Sequence, residues 1–569
     1  MADIRETVLL DHMDTSRFRL KASNSFMAKM KLGLRRFVVA TSGTPLRLLY
    51  VAIYRAHVRY ALRKLRNLPG IHSIYITGGM AIDELEPGIS DIDLTVNGEW
   101  NDERQARVTA VLKRLSEQSP LYDTLLSQCT QSLSSLQSLY ETDFYFQYLF
   151  DRGRTRWKRL YGEDVFALLP PVPETRVGGG YYMELRTWWC YFIKSVFGFG
   201  PTASDEIFRK SIPYKAAGGI LNCQAYFEGH TPAASRKIAM QSAVESHSGP
   251  EQQLLVRLVA SAAGRHRHFG GDIQEETFPF LISHLEKVHT LLGNNSSFGS
   301  VNVNGVHIDV AAAEMLVSSA ARSYVEAVIA RVKLEWAGYR AAYLVPSLSF
   351  FYPDDLVLLL EVHPDKLPTV RQIRDLCRFA LESSATRTQR VALFLLLPEA
   401  AYQLEIVSVV ELWHHTLCPQ ANPEVFAVLD RPEFVVDGAV RPAPHPPIWS
   451  RFANDLVNEE IGIRRLAFGK VAQAGDVASL ELLRNLWRQL QLEIVQRSVA
   501  QGFAVLPMTV ASIERMLQHF GLPGAAILGR LREAYQSEIN GQPVDIRPLL
   551  PELMALFAAF TEAANARAS

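Results

Sequence analysis

The chain has 569 residues, which at roughly 150 residues per domain suggests three to four domains. Its 59 Lys and Arg balance 59 Asp and Glu, so it lacks the basic excess of a protein that wraps long nucleic acid, although a local basic cleft for a small anion stays open. With 48% hydrophobic and 21% charged residues it has a globular composition, far from the disordered regime.

The five cysteines, Cys129, Cys190, Cys223, Cys377 and Cys418, are scattered, with no CxxC or CxH spacing, which argues against a disulfide framework or a structural zinc site. The opening stretch MADIRETVLLDHMD carries acids and no apolar core of the kind a secretory signal needs. The longest apolar runs, LVLLL at 356–360 and VALFLLLP at 391–398, fall short of the roughly 18 residues of a membrane helix. The expectation is a soluble, cytoplasmic protein with no membrane partner.

In chain order, residues 1–45 read as a partly helical arm with a short basic patch, KMKLGLRR at 29–36. A long helical pattern follows from Pro45 and stops at Pro69-Gly70. IHSIYIT (71–77) reads as a buried strand broken by Gly78-Gly79, and DIDLTV (91–96) as a second strand with strict alternation. NDERQARVTAVLKRLSEQ (101–118) has the periodicity of an amphipathic helix, and FYFQYLF (144–150) reads as a third strand. Residues 176–345 read mainly as helix, broken at GFGP (198–201) and GHTP (229–232), with a hairpin expected around Asn304-Gly305 in VNVNGVHIDV. Residues 346–450 look mixed or irregular with a few strands and close on the proline-rich RPAPHPP (441–447); residues 451–569 return to helix. No internal repeat is apparent. The expected fold class is α+β: a small mixed sheet over 46–175 followed by mainly helical domains.

The segment Ile74 to Val96, IYITGGMAIDELEPGISDIDLTV, carries the chemistry. Without a Cβ at Gly78 or Gly79 the backbone can turn tightly, and its N–H groups can approach phosphate oxygens. Eleven residues then separate Gly79 from Asp91. Asp91 and Asp93 are two apart on a predicted strand and so share a face. Two carboxylates on one face repel each other unless a cation lies between them, and hard divalent ions take such oxygen ligands together with phosphate. A phosphate cradle beside paired carboxylates suits metal-assisted phosphoryl or nucleotidyl transfer.

ITGG, the spacing, Ser90 and DIDL together resemble the DNA-polymerase-β-like nucleotidyltransferase superfamily, over residues 46–175. The second motif position is Gly79, where many members have Ser, so the phosphate contact there falls to backbone N–H groups. The resemblance implies that Asp91 and Asp93 hold Mg²⁺ (or Mn²⁺), that Gly78, Gly79 and Ser90 bind the polyphosphate of ATP or another nucleoside triphosphate, and that a third carboxylate completes the metal site or deprotonates the acceptor. Asp143 is the candidate, with Glu141 as the alternative.

DRGRTRWKRLYGED (151–164) follows, with Arg152, Arg154, Arg156, Lys158 and Arg159 in a dense run that either neutralises a triphosphate or is a solvated face. Its LYGED resembles the Leu-Tyr-Gly-x-Asp segment of the small-molecule (aminoglycoside-type) branch, in which a helical domain closes over the nucleotide. That resemblance makes Lys215 and Arg236 candidates for phosphate contact.

The expected partners are a nucleoside triphosphate and a small-molecule or protein acceptor. The rival readings are a non-catalytic nucleotide-binding regulator or scaffold, RNA 3′-end addition, and the toxin of a toxin–antitoxin pair.

His266 and His268 read as a surface loop rather than a metal site, Trp188-Trp189 as core, and Asp354-Asp355 as a cap.

Overall fold

The computed structural model describes residues 26–90, 92–99, 103–104, 107–108, 110–111, 114, 129–133, 136, 140, 144–172, 174–197, 203–262, 273–295, 298–304, 306–309, 317–346, 356–384, 389, 391–404, 416–441, 449–458, 461, 479–507, 510–522, 525–542, 544–545 and 547–565. The chain divides into two compact units, Met1–Val288 and His289–Ser569. Among the described residues no helix is long and apolar enough to cross a membrane.

Unit 1 begins with helices α1 (Phe26–Thr41) and α2 (Leu46–Leu65). Tyr50, Tyr54, Val58, Ala61 and Leu65 recur at helical spacing along α2 and form its buried face. They pack on Ile74 and Ile76 of β1 (Ile71–Ile76) and on Leu94 and Val96 of β2 (Leu94–Gly98). Burial of the larger side chains, Val58 and Leu65 among them, contributes roughly 1.5–3 kcal/mol each, which sets α2 against the sheet. The sheet has four strands in the order β3-β2-β1-β4, with β3 at Cys129–Ser132 and β4 at Lys158–Gly162. β1 runs antiparallel to both β2 and β4, and β2 runs parallel to β3.

Three sequence readings change here. The second strand starts at Leu94, not at 91. The segment 144–150 is not a strand but the start of helix α3 (Phe144–Arg156). Its apolar residues also fit a helix, and Gln147, Tyr148 and Phe150 are buried together. The sheet instead takes its outer strands from CTQS and KRLYG, neither of which has an apolar alternation. A polar edge such as β4 needs only its hydrogen bonds to β1 and its exposed face.

Helices α4 (Glu174–Phe197), α5 (Ala203–Phe227), α6 (Arg236–Ser246), α7 (Gly249–Ala262) and α8 (Ile273–Leu292) follow, and the division between the units falls within the last turn of α8. α4 and α5 pack closely because Gly219 faces the Trp188 ring, where a Cβ would overlap the indole.

Unit 2 holds β5 (Val306–Asp309), α9 (Ser319–Glu335), β6 (Tyr339–Pro346), β7 (Leu356–Val362), α10 (Val370–Ser384), β8 (Val391–Leu396), β9 (Ala401–Gln403), β10 (Thr416–Leu417) and β11 (Val435–Asp437). It ends in α11 (Ser479–Ala500), β12 (Ala504–Pro507), α12 (Val510–His519), α13 (Ala525–Ile539) and α14 (Leu550–Asn565). Its main sheet has the order β10-β9-β8-β7-β6-β11. LVLLLEV and VALFLL are buried almost throughout, as expected of adjacent parallel strands covered on both faces. The expected boundary at residue 345 falls inside β6. Gly305 lies outside the described residues, and among the described ones the expected hairpin partner of β5 is replaced by β12, far along the chain, which pairs with β5 in parallel.

Candidate active site

β1 leads directly into a single helical turn, Gly78–Ala81. Gly78 has φ +63°, in the left-handed region that glycine enters without strain. The Asp93 carboxylate lies against its Cα, and a methyl group at Gly78 would overlap a carboxylate oxygen. The Thr77 N–H donates to the Asp93 C=O at 2.9 Å, which fixes the strand ends side by side. Asp93 is half-buried. A Cβ at Gly79 would lie 3.1 Å from the Glu84 carbonyl and 3.7 Å from the Ser90 hydroxyl. The structure therefore brings Gly78, Gly79, Ser90 and Asp93 together. Asp91, Asp143 and Glu141 lie outside the described residues, and among the described residues no group of three or more His, Cys, Asp or Glu gathers at a metal-binding distance.

The connecting loop is pinned from several sides. The Ser90 hydroxyl accepts from the Glu86 N–H at 2.9 Å, so it also staples the loop. Tyr54 donates its hydroxyl to the Ser90 C=O and accepts from the Gly88 N–H, Arg35 donates to the Gly88 C=O, and Arg47 donates to the Leu85 C=O. Gly88 has φ +82°, and a Cβ there would strike Val39.

The helices meet this loop through acids that the sequence reading passed over. Glu84 accepts from the Lys237 N–H in the first turn of α6 at 2.7 Å. Burial raises the Glu86 carboxyl above its usual range, against the opposing pull of Lys215, Arg236 and Arg47. Lys215 and Arg236 therefore stand within electrostatic reach of the loop between the glycines and Asp93. Arg236 stacks 4.7 Å above the Trp188 ring, so this tryptophan is a platform rather than plain core, while Trp189 is fully buried. No spacing in the sequence ties MAIDELEPGIS to residues 215 and 236, which lie more than a hundred positions away.

The dense cation run separates into individual roles. Arg152 forms a half-buried ion pair with Glu184 at 2.5 Å and also donates to the Tyr148 hydroxyl. Burial alone would raise the Glu184 carboxyl, but Arg152 outweighs it and holds the group below its usual range. Arg154 donates to the carbonyls of Phe166, Leu169 and Pro170. Arg156 donates to the Ala233 C=O, and burial lowers its pKa. Lys158 pairs with Asp83 at 3.0 Å and is exposed with Arg159 on β4. Arg152 and Arg154 are thus committed to packing. LYGED is also structural at its end: Asp164 accepts from the Tyr75 hydroxyl at 2.8 Å and caps the 3-10 turn Val165–Leu168. His266, His268, Asp354 and Asp355 lie outside the described residues.

No curated protein matches the chain. Residues 58–145, from the middle of α2 through β1, the glycine pair, the two aspartates and β3, match the family described as the nucleotidyltransferase domain, and this segment of unit 1 is a nucleotidyltransferase domain.

Proposed function

We propose that the protein is a Mg²⁺-dependent nucleotidyltransferase. It takes a nucleoside triphosphate, ATP first, and moves the nucleoside monophosphate onto a hydroxyl of a small molecule or a protein, with pyrophosphate as the other product. The observation that carries this reading is the Asp93 carboxylate seated on Gly78, in the space a Cβ would fill. The donor set fits a hard cation: Asp93, with Asp91 two residues before it and Asp143 or Glu141 as the third acid, offers oxygen ligands only. A Mg²⁺ ion held by these residues supplies charge neutralisation for the phosphates.

The remaining roles belong to the chain. Backbone N–H groups at Gly78 and Gly79 hold the outer phosphates, and Ser90 keeps the loop behind them in place. Lys215 and Arg236 approach the same loop from the helices and draw the polyphosphate toward it. The acceptor oxygen attacks the α-phosphorus in line. The new O–P bond forms as the bond to the bridging oxygen breaks, the electron pair leaves with pyrophosphate, and the hydroxyl proton passes to Asp143 or Glu141. The LYGED segment favours the small-molecule, aminoglycoside-type branch over a polynucleotide acceptor, and the zero net charge agrees. The buried thiols Cys190, Cys223, Cys377 and Cys418 support a reducing, cytoplasmic setting.

The test uses the full chain with labelled ATP, GTP, CTP and UTP, Mg²⁺ and cell extract, followed by mass analysis of whatever carries the label. Asp93→Asn should stop both label transfer and pyrophosphate release. Activity that persists in this variant would end the assignment.

A further inference from the structure

Unit 2 repeats the hydrogen-bonded frame of unit 1. The order β8-β7-β6-β11 matches β3-β2-β1-β4, and every direction agrees: β6 antiparallel to β7 and β11, β7 parallel to β8. A helix precedes the first strand in each unit. The buried stripe of α9, Ala321, Val325, Val328 and Val332, has the spacing of Tyr54, Val58, Ala61 and Leu65 in α2.

Strand order alone is a weak likeness, because many unrelated sheets share one. The register is far more specific. In unit 1 the pairing runs from Ile71↔Gly98, skips a residue, resumes at Ser73↔Asn97 and continues to Ile76↔Leu94. In unit 2 it runs from Tyr339↔Val362, skips a residue at the same place, resumes at Ala341↔Glu361 and passes through Leu344↔Leu358. The Glu99 N–H donates to the Gly70 C=O at 2.9 Å, and the His363 N–H donates to the Gly338 C=O at 2.8 Å.

The outer strands agree as well. Tyr75↔Arg159 and Ile74↔Tyr161 bracket an irregularity, and Tyr343↔Val435 and Ala342↔Asp437 bracket its counterpart. The next residue on each outer strand is a left-handed glycine, Gly162 at φ +77° and Gly438 at φ +86°. A Cβ on the first would strike the backbone of His72 and Ser73; on the second it would strike Arg340 and Ala341, which hold the corresponding positions. Tyr75 and Tyr343 fall on the same position, and each donates its hydroxyl to a carboxylate, Asp164 or Glu361.

The shared register locates the place of the active site in unit 2. Asp93 directly precedes Leu94, and Val357 directly precedes Leu358. Val357 is a buried apolar side chain, 2% exposed. Gly78 lies two residues beyond Ile76, and Pro346 lies two beyond Leu344. Proline fixes φ near −65° and has no N–H, so this position can neither take the turn of Gly78 nor donate to a phosphate. Unit 1 leaves its sheet after the Thr77–Asp93 hydrogen bond, which stands where unit 2 has the pair Val345↔Val357, whereas unit 2 continues to Pro346↔Leu356. The strand ends that open into a loop in one unit are closed by further pairing in the other. Asp355, counted along the chain, stands where Asp91 stands, and both lie outside the described residues.

We infer that unit 2 contains a second nucleotidyltransferase-type sheet that has lost the metal and polyphosphate site, so that each chain carries one transfer centre and one silent copy. The inference rests on the function proposed for unit 1. Sequence comparison within the chain sees no repeat because IHSIYI and YRAAYLVP share a register and almost no side chains.

The test is calorimetric titration of the full chain with Mg²⁺ and α,β-methylene-ATP, which cannot release pyrophosphate. One equivalent per chain is expected. Asp91→Asn should weaken binding by at least about 10-fold, the scale on which even outer-shell partners of a metal act, whereas Asp355→Asn should change it by less than about 2-fold. Two equivalents, or an equal loss in Asp355→Asn, would overturn the silent copy and leave the proposed function standing. No binding by the unsubstituted chain would overturn the proposed function, and the working copy with it.

Discussion

In unit 1 the β1–β2 pair stops at Ile76 and Leu94, and the chain turns through Gly78 into a loop that ends at Asp93. In unit 2 the matching pair β6–β7 runs two residues further, through valines and a proline. The frame is the same and the openings differ. Backbone pairing and buried apolar runs set the frame, so it tolerates wide changes of side chain. The proposed chemistry rests on one glycine with a positive φ and on the carboxylate that fills the space above it, and an ordinary strand residue at either position would remove it.

Exchanging one residue between the two sheets should have the largest effect. Gly78→Pro places the unit 2 residue in unit 1. It removes the positive φ, removes an N–H and fills the space of the Asp93 carboxylate. Nucleotidyl transfer should fall below detection, and the milder Gly78→Ala should lower kcat by about 100- to 1,000-fold, the range for loss of one charge-stabilising group. A Gly78→Ala enzyme within about twofold of the unsubstituted rate would mean that the Asp93 seat is not part of the site.

The next largest effect concerns the helices behind the unit 1 sheet. Glu184→Gln leaves the half-buried Arg152 without its carboxylate and should destabilise unit 1 by about 1.5–3 kcal/mol in urea unfolding. The pH dependence has a definite sign. Arg152 holds the Glu184 carboxyl below its unfolded value, so the stabilisation is present above the ordinary glutamate range and is lost as pH falls through the lowered folded pKa. The variant should lack this acid limb. Since Arg156 reaches from the same helix to Ala233, just ahead of α6, loosening α3 should also raise the KM for the triphosphate.

The parts legible in the sequence were those where local chemistry and tertiary role coincide. Gly78-Gly79, the spacing to Asp93, the α2 stripe and the strand IHSIYI were visible because turn geometry and apolar periodicity are local signals. The strands CTQS and KRLYG were not, because edge strands are selected by their partner's unpaired N–H and C=O groups rather than by their own composition. FYFQYLF was misleading because an aromatic-rich run suits either element until its length is known, and α3 continues to Arg156. Glu84 and Glu86 were passed over because their cations come from α5 and α6. The second sheet was hidden for the same reason as the edge strands: register is a property of pairs and leaves little trace in either strand alone.

A smaller effect separates the units by pH. His284 in α8 is buried, and its Nδ1–H donates to the Gln224 side-chain oxygen at 2.6 Å. Burial, reinforced by the positive charge of His247 and Lys287, lowers its pKa from 6.5 to about 4. The unfolded chain therefore takes up a proton near pH 6.5 that the folded chain declines until about pH 4. Stability should fall as pH drops through that window, by at most about 3 kcal/mol, and His284→Gln should flatten the slope. Unfolding of unit 1, followed by the fluorescence of Trp188 and Trp189, reads this directly.

The smallest expected effect is the one that tests the shared frame itself. Gly162 and Gly438 both have a positive φ, and both sit where a Cβ would meet the backbone of the first strand. Alanine at either position must adopt a strained backbone, push its neighbours apart, or both, at a cost of about 1–3 kcal/mol. The two substitutions should therefore lower the midpoint of their own unit's unfolding by similar amounts. Their functional effects should diverge. Gly162→Ala disturbs the end of β4, the strand that carries Lys158 toward Asp83 and pairs beside the Tyr75–Asp164 hydrogen bond, and it should lower kcat/KM several-fold. Gly438→Ala should leave kcat/KM unchanged at a temperature where both variants are folded. Equal stability losses with unequal rates are what one frame carrying one working site requires. Equal losses of rate would mean that the second sheet takes part in the reaction.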